Sequence, residues 1–178
     1  MPMSIKTITP SRKNIFVDLD ETLIHTLLPF EHIDGKDYKP EYPVVKIKVG
    51  KDVYETCLRP GANTLLLKLR EAGHVYMLTR AAKDYAKAMS KEFGFAFTED
   101  RIFDREYVKN WKYKNVDIPN GKNYLIDDLN TYNNYEKIAF IKKFGPAEYI
   151  QVMPFYAVKG HEFTPDIINS IIETINGE

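Results

Sequence analysis

Asp18 and Asp20 stand one residue apart, directly after the apolar, partly β-branched triplet Ile15-Phe16-Val17. The triplet predicts a short buried strand that delivers both carboxylates at its carboxyl end, where open α/β sheets carry their chemistry. Residues two apart on an extended backbone share a side, so Asp18 and Asp20 face one small volume while Leu19 turns into the protein. Two close carboxylates repel each other unless a cation or a shared proton intervenes. Taken alone, Asp-x-Asp is more often a strand end followed by a polar, helix-capping turn; the rest of the chain changes that balance.

Two further apolar runs end in oxygen-bearing side chains. His74-Val75-Tyr76-Met77-Leu78 leads to Thr79-Arg80, and Asn123-Tyr124-Leu125-Ile126 leads to Asp127-Asp128. In a parallel sheet the carboxyl ends of all these strands share one edge, which brings Asp18, Asp20, Thr79, Asp127 and Asp128 together. Clustered carboxylates without His or Cys suit a hard cation with oxygen ligands, Mg2+ before Zn2+. His25, His32, His74 and His161 lack metal-ligand spacing.

Such a site suits phosphoryl transfer. Asp18 would attack phosphorus to form an aspartyl phosphate, and Asp20 would protonate the leaving oxygen, then take a proton from the hydrolysing water. The Thr79 hydroxyl can donate to a phosphoryl oxygen. Lys109, on a short extended piece between the second and third strand ends, is the cation expected to complete the cradle, with Asp127 and Asp128 holding or orienting the metal. Plainer readings stand beside these: Lys109 as a solvated lysine, Thr79 as a helix cap, Asp127-Asp128 as a helix-starting turn. All of them at once, in this order, is the less economical account.

The elements that must position these residues alternate strand and helix, the pattern of a parallel, Rossmann-like α/β sheet. Helices are predicted after Arg59-Pro60-Gly61, with Pro60 in the first turn and Gly73 as a left-handed stop, and over 81–93 with Gly94 at its end. A further helix is expected over 135–144 and a strand over 149–153. The last helix begins at Thr164-Pro165-Asp166, with Ile167, Ile168, Ile171, Ile172 and Ile175 on one face. Residues 44–49 and 53–58 flank a Gly50-Lys51-Asp52 turn and read as a β-hairpin. This makes 29–58 a small β insert over the site, within one domain spanning 1–178. Leu28, Val45 and Ile47 either line a shallow groove beside the phosphate or form the insert's own core. Residues 1–13 read as a loose arm and 31–41 as a loop.

The 178 residues carry 25 Lys plus Arg against 25 Asp plus Glu, so no global positive field holds nucleic acid nonspecifically. One cysteine, Cys57, excludes an internal disulfide and reads as a buried strand residue. No apolar run approaches the roughly 20 residues that span a bilayer, and no signal-peptide-like segment is present, which points to a cytoplasmic protein without a membrane partner.

Asp18-Leu-Asp20-Glu-Thr22-Leu, Leu78-Thr79, Tyr107-Val108-Lys109 and Leu125-Ile126-Asp127-Asp128 resemble the four motifs of the haloacid dehalogenase superfamily of phosphohydrolases. Leu58-Arg59-Pro60-Gly61 and the preceding hairpin resemble one branch, the C-terminal-domain or NLI-interacting-factor-like phosphatases. The resemblance implies Asp18 as nucleophile, Asp20 as acid and base, Thr79 and Lys109 as phosphate ligands, and Thr22 as a brace of the motif loop. It implies Mg2+ held by Asp18, the Asp20 backbone carbonyl and Asp128. The chain departs from the branch in placing Asp128 where Asn is usual and Arg80 where a small residue is common. The branch's further phosphate-binding Arg has no counterpart, for which Arg80 or Arg101 are the available substitutes.

The implied function is a Mg2+-dependent phosphomonoester hydrolase acting on phosphoserine or phosphothreonine in a protein. Dephosphorylation of a nucleic-acid end or nucleotide, with Tyr132, Tyr135 and Arg80 near a base, is the alternative, nucleic acid then being a substrate only. A catalytically silent phosphate-binding module and a metal-dependent nucleotide-sugar transferase fit the intact Asp18, Asp20 and Thr22 less well.

Overall fold

Ile15 and Val17 point to one side of the opening strand and Phe16 to the other, and all three are fully buried. Continuous rather than alternating burial is the signature of a parallel sheet covered on both faces. The computed structural model describes residues 11–28, 32–33, 36–37 and 39–177. The expected arm over 1–13 therefore lies mostly outside the described residues, as do 31, 34, 35 and 38 of the expected 31–41 loop; the described part of that segment is not all loop, since His32–Ile33 and Lys36–Asp37 pair as short antiparallel strands.

The chain runs through β1 (Lys13–Val17), β2 (Ile24–Thr26), β3 (His32–Ile33), β4 (Lys36–Asp37), β5 (Val45–Val49) and β6 (Asp52–Leu58). It continues with α1 (Ala62–Ala72), β7 (His74–Leu78), α2 (Lys83–Phe93), β8 (Ile102–Phe103) and α3 (Arg105–Asn110). Last come β9 (Lys122–Asp127), α4 (Tyr135–Lys142), β10 (Ala147–Gln151) and α5 (Pro165–Asn176). The main sheet has five strands in the order β10-β9-β1-β7-β8, all parallel. From β1 the chain proceeds to β7 and β8 on one side, then returns to β9 and β10 on the other. The direction reverses around β1, so the crevice beyond its carboxyl end is the topological switch point, where ligands of open α/β sheets bind.

One face of the sheet packs Ile15, Val17, Met77 and Ile126 against Leu65, Leu66 and Leu69 of α1, Met89 of α2 and Ile168, Ile171 and Ile175 of α5. The other packs Phe16, Leu78 and Leu125 against Val108 of α3 and Phe140 and Ile141 of α4. Each fully buried aliphatic side chain contributes about 1.5–3 kcal/mol. In α5, Thr164 caps the helix by accepting from the Ile167 amide at 3.3 Å, with Pro165 first, as the sequence predicts. Ile167 itself stays exposed.

A second sheet, β2-β6-β5, is antiparallel. It contains the expected hairpin, closed with Gly50 at a φ of 60°, and adds β2, a strand of three residues too short for the sequence to announce. Ile47 is buried in the core shared with the main sheet, and Val45 packs against that core. Leu28 is exposed beside Val53, in a hollow that none of Asp18, Asp20 and Thr79 lines. Cys57 is fully buried on β6, and burial pushes its thiol up to about 11, away from reactivity.

Three local expectations are corrected. Residues 107–109 form part of the helix α3 rather than an extended piece, because the segment turns immediately after β8 at Asp104. Pro60 precedes α1 rather than opening it; Gly61 is the cap, at a φ of 88°, and a Cβ there would sit 2.3 Å from the Phe163 carbonyl oxygen. Gly73 ends α1 in extended rather than left-handed backbone. Its role is close approach: a Cβ would lie 2.7 Å from the carbonyl oxygen of Lys13 on β1.

Candidate active site

The amide of Asp18 donates to the Ile126 carbonyl at 3.0 Å, which aligns the ends of β1 and β9. Beyond it the chain coils tightly: the Leu23 amide returns to the Leu19 carbonyl at 2.8 Å, and Glu21 adopts a φ of 60°, rare without glycine. Buried Arg59 braces this turn. Its Nη1 donates to the Thr22 carbonyl (3.2 Å) and its Nε to the His161 carbonyl (2.8 Å), while the guanidinium carbon lies 3.8 Å from the Phe163 ring centroid. Burial lowers the Arg59 pKa to about 10, which leaves it charged at neutral pH.

The turn presents its carboxylates to a cavity of about 400 Å³, lined by Asp18, Asp20, Thr79, Asp128 and Lys137, with Arg80 and Tyr156 also on its wall. Lys137 of α4, 2% exposed, donates to Asp18 Oδ1 at 2.9 Å and to Asp127 Oδ2 at 2.7 Å. Asp127 Oδ1 accepts from the Leu129 amide at 2.9 Å. The Thr22 hydroxyl lies 3.1 Å from Asp18 Oδ2 and 3.2 Å from Asp128 Oδ1; with one hydrogen it donates to one at a time. Thr79 Oγ1 accepts from the Ala81 amide at 3.0 Å, which leaves its own hydrogen for another acceptor. Tyr85 of α2 donates to Asp20 Oδ1 at 2.7 Å.

Charge is unbalanced here. One lysine pairs with Asp18 and Asp127, and one carboxylate oxygen from each of Asp18, Asp127 and Asp128 lies within 4.8 Å of the others. Burial raises the pKa of Asp18 well above the carboxylate range; the Lys137 charge opposes this, while the Asp127 and Asp128 charges add to it. Burial likewise raises Asp128. Asp20 is pushed up to about 7, by burial first, against the hydrogen bond from Tyr85. Burial works against the charge on Lys137, but Asp18 and Asp127 outweigh it and hold its pKa above lysine's ordinary value. A set of close, partly desolvated carboxylates with no nitrogen or sulfur ligand is the donor chemistry of a hard divalent cation, so these residues fit a metal.

Of the residues singled out in the sequence, Asp18, Asp20, Thr22, Thr79, Asp127 and Asp128 come together. Arg80 reaches the cavity wall but is exposed and turns its Nη2 to the Asn133 carbonyl. Lys109 does not: it is exposed on α3 and lines no part of the cavity. Arg101 is spent elsewhere, over the Tyr76 ring and on the Val75 carbonyl. No sequence motif announces Lys137, although a lysine three and four residues before Phe140 and Ile141, on the apolar face of a helix, is a signal that a charge is buried for a partner. Tyr132 and Tyr135 are exposed and lie outside the cavity lining.

An acidic centre at the switch point of a parallel sheet, flanked by a small antiparallel insert, defines an α/β protein of the haloacid dehalogenase type. Within that class the chain belongs to the NLI interacting factor-like phosphatase family, which residues 13–144 match. It is similar to an RNA polymerase II C-terminal domain phosphatase of Caenorhabditis elegans, at 27% identity over 129 residues, covering 68% of this chain and 19% of that protein. It is also similar to the CTD phosphatase-like protein 355R of Invertebrate iridescent virus 6, at 32% identity over 142 residues, covering 66% of this chain and 76% of the viral protein. Among solved structures, the RNA polymerase II CTD phosphatase Fcp1 of fission yeast bound to beryllium fluoride shares the fold with a TM-score of 0.50 at 16% identity, over 93% of this chain and 50% of that one. A further structure of Fcp1, an essential RNA polymerase II CTD phosphatase, gives a TM-score of 0.52 at 18% identity, over 93% and 48%. The chain thus spans 19% of the nematode relative and about half of either solved chain.

Proposed function

We propose that the protein is a Mg2+-dependent phosphomonoester hydrolase that works through an aspartyl phosphate on Asp18 and acts on phosphoserine or phosphothreonine in proteins. The observation that carries this reading is the placement of Asp18 and Asp20 on one cavity, with Thr79 and Lys137 beside them and the Asp127 and Asp128 carboxylates behind.

The Asp18 carboxylate, the form that Lys137 favours against burial, attacks phosphorus and the bond to the leaving oxygen breaks. Asp20, whose carboxyl is partly protonated near neutral pH, gives its proton to that oxygen. The Thr79 hydrogen, not used by the Ala81 contact, and the third N–H of Lys137 are free to donate to phosphoryl oxygens. Asp20, now a carboxylate, takes a proton from the water that hydrolyses the acyl phosphate, which restores both groups. Asp18, Asp128 and the Asp20 carbonyl would hold Mg2+. When bound, the ion offsets the negative charge that otherwise keeps a phosphate away from these carboxylates.

The protein substrate class rests on the family and on relatives named as C-terminal-domain phosphatases. The test is hydrolysis of p-nitrophenyl phosphate with Mg2+ and with a chelator, beside the Asp18→Asn and Asp20→Asn variants. The reading expects activity in the first case alone. Activity that survives chelation or Asp18→Asn contradicts it. A phosphoserine peptide set against a 3′-phosphorylated oligonucleotide then separates the substrate classes, and preference for the oligonucleotide would overturn the protein assignment.

A further inference from the structure

Asp20 does not meet the cavity alone. Its Oδ1 accepts from the Tyr85 hydroxyl at 2.7 Å, and that hydroxyl lies 2.5 Å from Thr26 Oγ1, itself 2.9 Å from Thr56 Oγ1. When Asp20 is a carboxylate, which can only accept, Tyr85 gives it its one hydrogen, so Thr26 donates to Tyr85 and Thr56 donates to Thr26. Thr56 is fully buried on β6, and Thr26 sits opposite it on β2. The Tyr85 ring is itself set by the edge of Tyr54, with centroids 5.1 Å apart. The relay therefore ties one oxygen of Asp20 to both the insert sheet and α2.

We propose that Tyr85 is a positioning residue for the general acid: by occupying Oδ1 it places the transferable proton on Oδ2 and fixes that oxygen in the cavity. A carboxyl has two equivalent oxygens, and a neutral carboxyl that can rotate delivers its proton in only some orientations. While Tyr85 donates to Oδ1 a hydrogen there would face the Tyr85 hydrogen, and moving the proton to Oδ1 requires Tyr85, Thr26 and Thr56 all to turn over together, so the proton that Asp20 takes up goes to Oδ2. The insert sheet, through Thr56 and Thr26, holds the donor in register. This inference rests on the phosphatase reading, and deepens it by assigning a role to a residue outside the motifs.

The consequence depends on the leaving group. A good leaving group departs with little help from an acid, whereas a basic one needs the proton in the transition state. The experiment compares kcat/KM for 4-nitrophenyl, 4-chlorophenyl and phenyl phosphate in wild type and Tyr85→Phe. It reports phosphorylation of Asp18 and not the later hydrolysis step. The expected result is a loss below about threefold with 4-nitrophenyl phosphate and about tenfold with phenyl phosphate, the dependence on leaving-group basicity steepening in the variant. Thr26→Val should shift the dependence the same way by less, and Thr26→Ser, which keeps the hydroxyl, should restore it. An equal loss on all three esters, or none, would overturn the positioning role. Wild type that turns over none of the esters would overturn the phosphatase reading, and the inference with it.

Discussion

Two lysines stand in opposite environments. Lys137 is held between Asp18 and Asp127 with both contacts under 3 Å, whereas Lys109 stands exposed on α3. Removing one member of a buried charge set leaves the others uncompensated, which costs about 3–5 kcal/mol. Lys137→Met, studied by urea denaturation with chelator present, should lose stability of about that order. Its hydrolysis of p-nitrophenyl phosphate should fall by about a hundredfold. Lys109→Ala should change neither beyond about twofold in rate. A strong loss in Lys109→Ala with an unimpaired Lys137→Met would reverse this assignment. The two lysines also show what the sequence withholds. Tyr107-Val108-Lys109 has the pattern of the third motif, and only the helical turn after Asp104 shows that its lysine faces solvent. Lys137 carries no motif; its signal is a charge on the apolar face of α4, which becomes meaningful once α4 is known to pass beside β1 and β9.

At the scale of elements, the strands were legible because apolar runs such as 15–17, 75–78 and 124–126 are buried on both faces, and each ends where the polar residues begin. The helix ends were less legible, because glycine serves two purposes that look alike in a sequence. At Gly94 it supplies left-handed backbone, at a φ of 68°; at Gly73 it makes room for the Lys13 carbonyl. Gly61 does both, and it seats the segment that carries Arg59, whose guanidinium holds the turn bearing Thr22. Gly61→Ala should therefore destabilise the protein by about 2 kcal/mol or more, through backbone strain and the clash with Phe163, read as a lowered melting temperature. An unchanged melting temperature would show that the Phe163 segment moves aside without cost. The short β2 escaped the sequence because three residues carry no periodicity; it exists through its pairing with β6.

The molecule as a whole carries balanced charge, so the excess of carboxylates in the cavity is local. It is a place that a divalent cation would fit. A divalent ion that binds the folded state and not the unfolded one raises stability with its concentration. Mg2+ should accordingly raise the melting temperature, and Asp128→Ala should remove most of that rise while the protein still folds. An equal rise in the variant would place the ion elsewhere. Among the described residues no helix is long and apolar enough to cross a membrane. The proposed chemistry is covalent, with phosphate passing through Asp18, and the covalent species can be trapped. Quenching the protein during turnover of p-nitrophenyl phosphate with Mg2+, reducing it with borohydride and mapping its peptides by mass spectrometry locates the acyl phosphate. The expected product is homoserine at position 18 and at no other acidic position, absent when Mg2+ is chelated. Turnover without a reducible acyl phosphate, or with one on Asp20, Asp127 or Asp128, would contradict the mechanism.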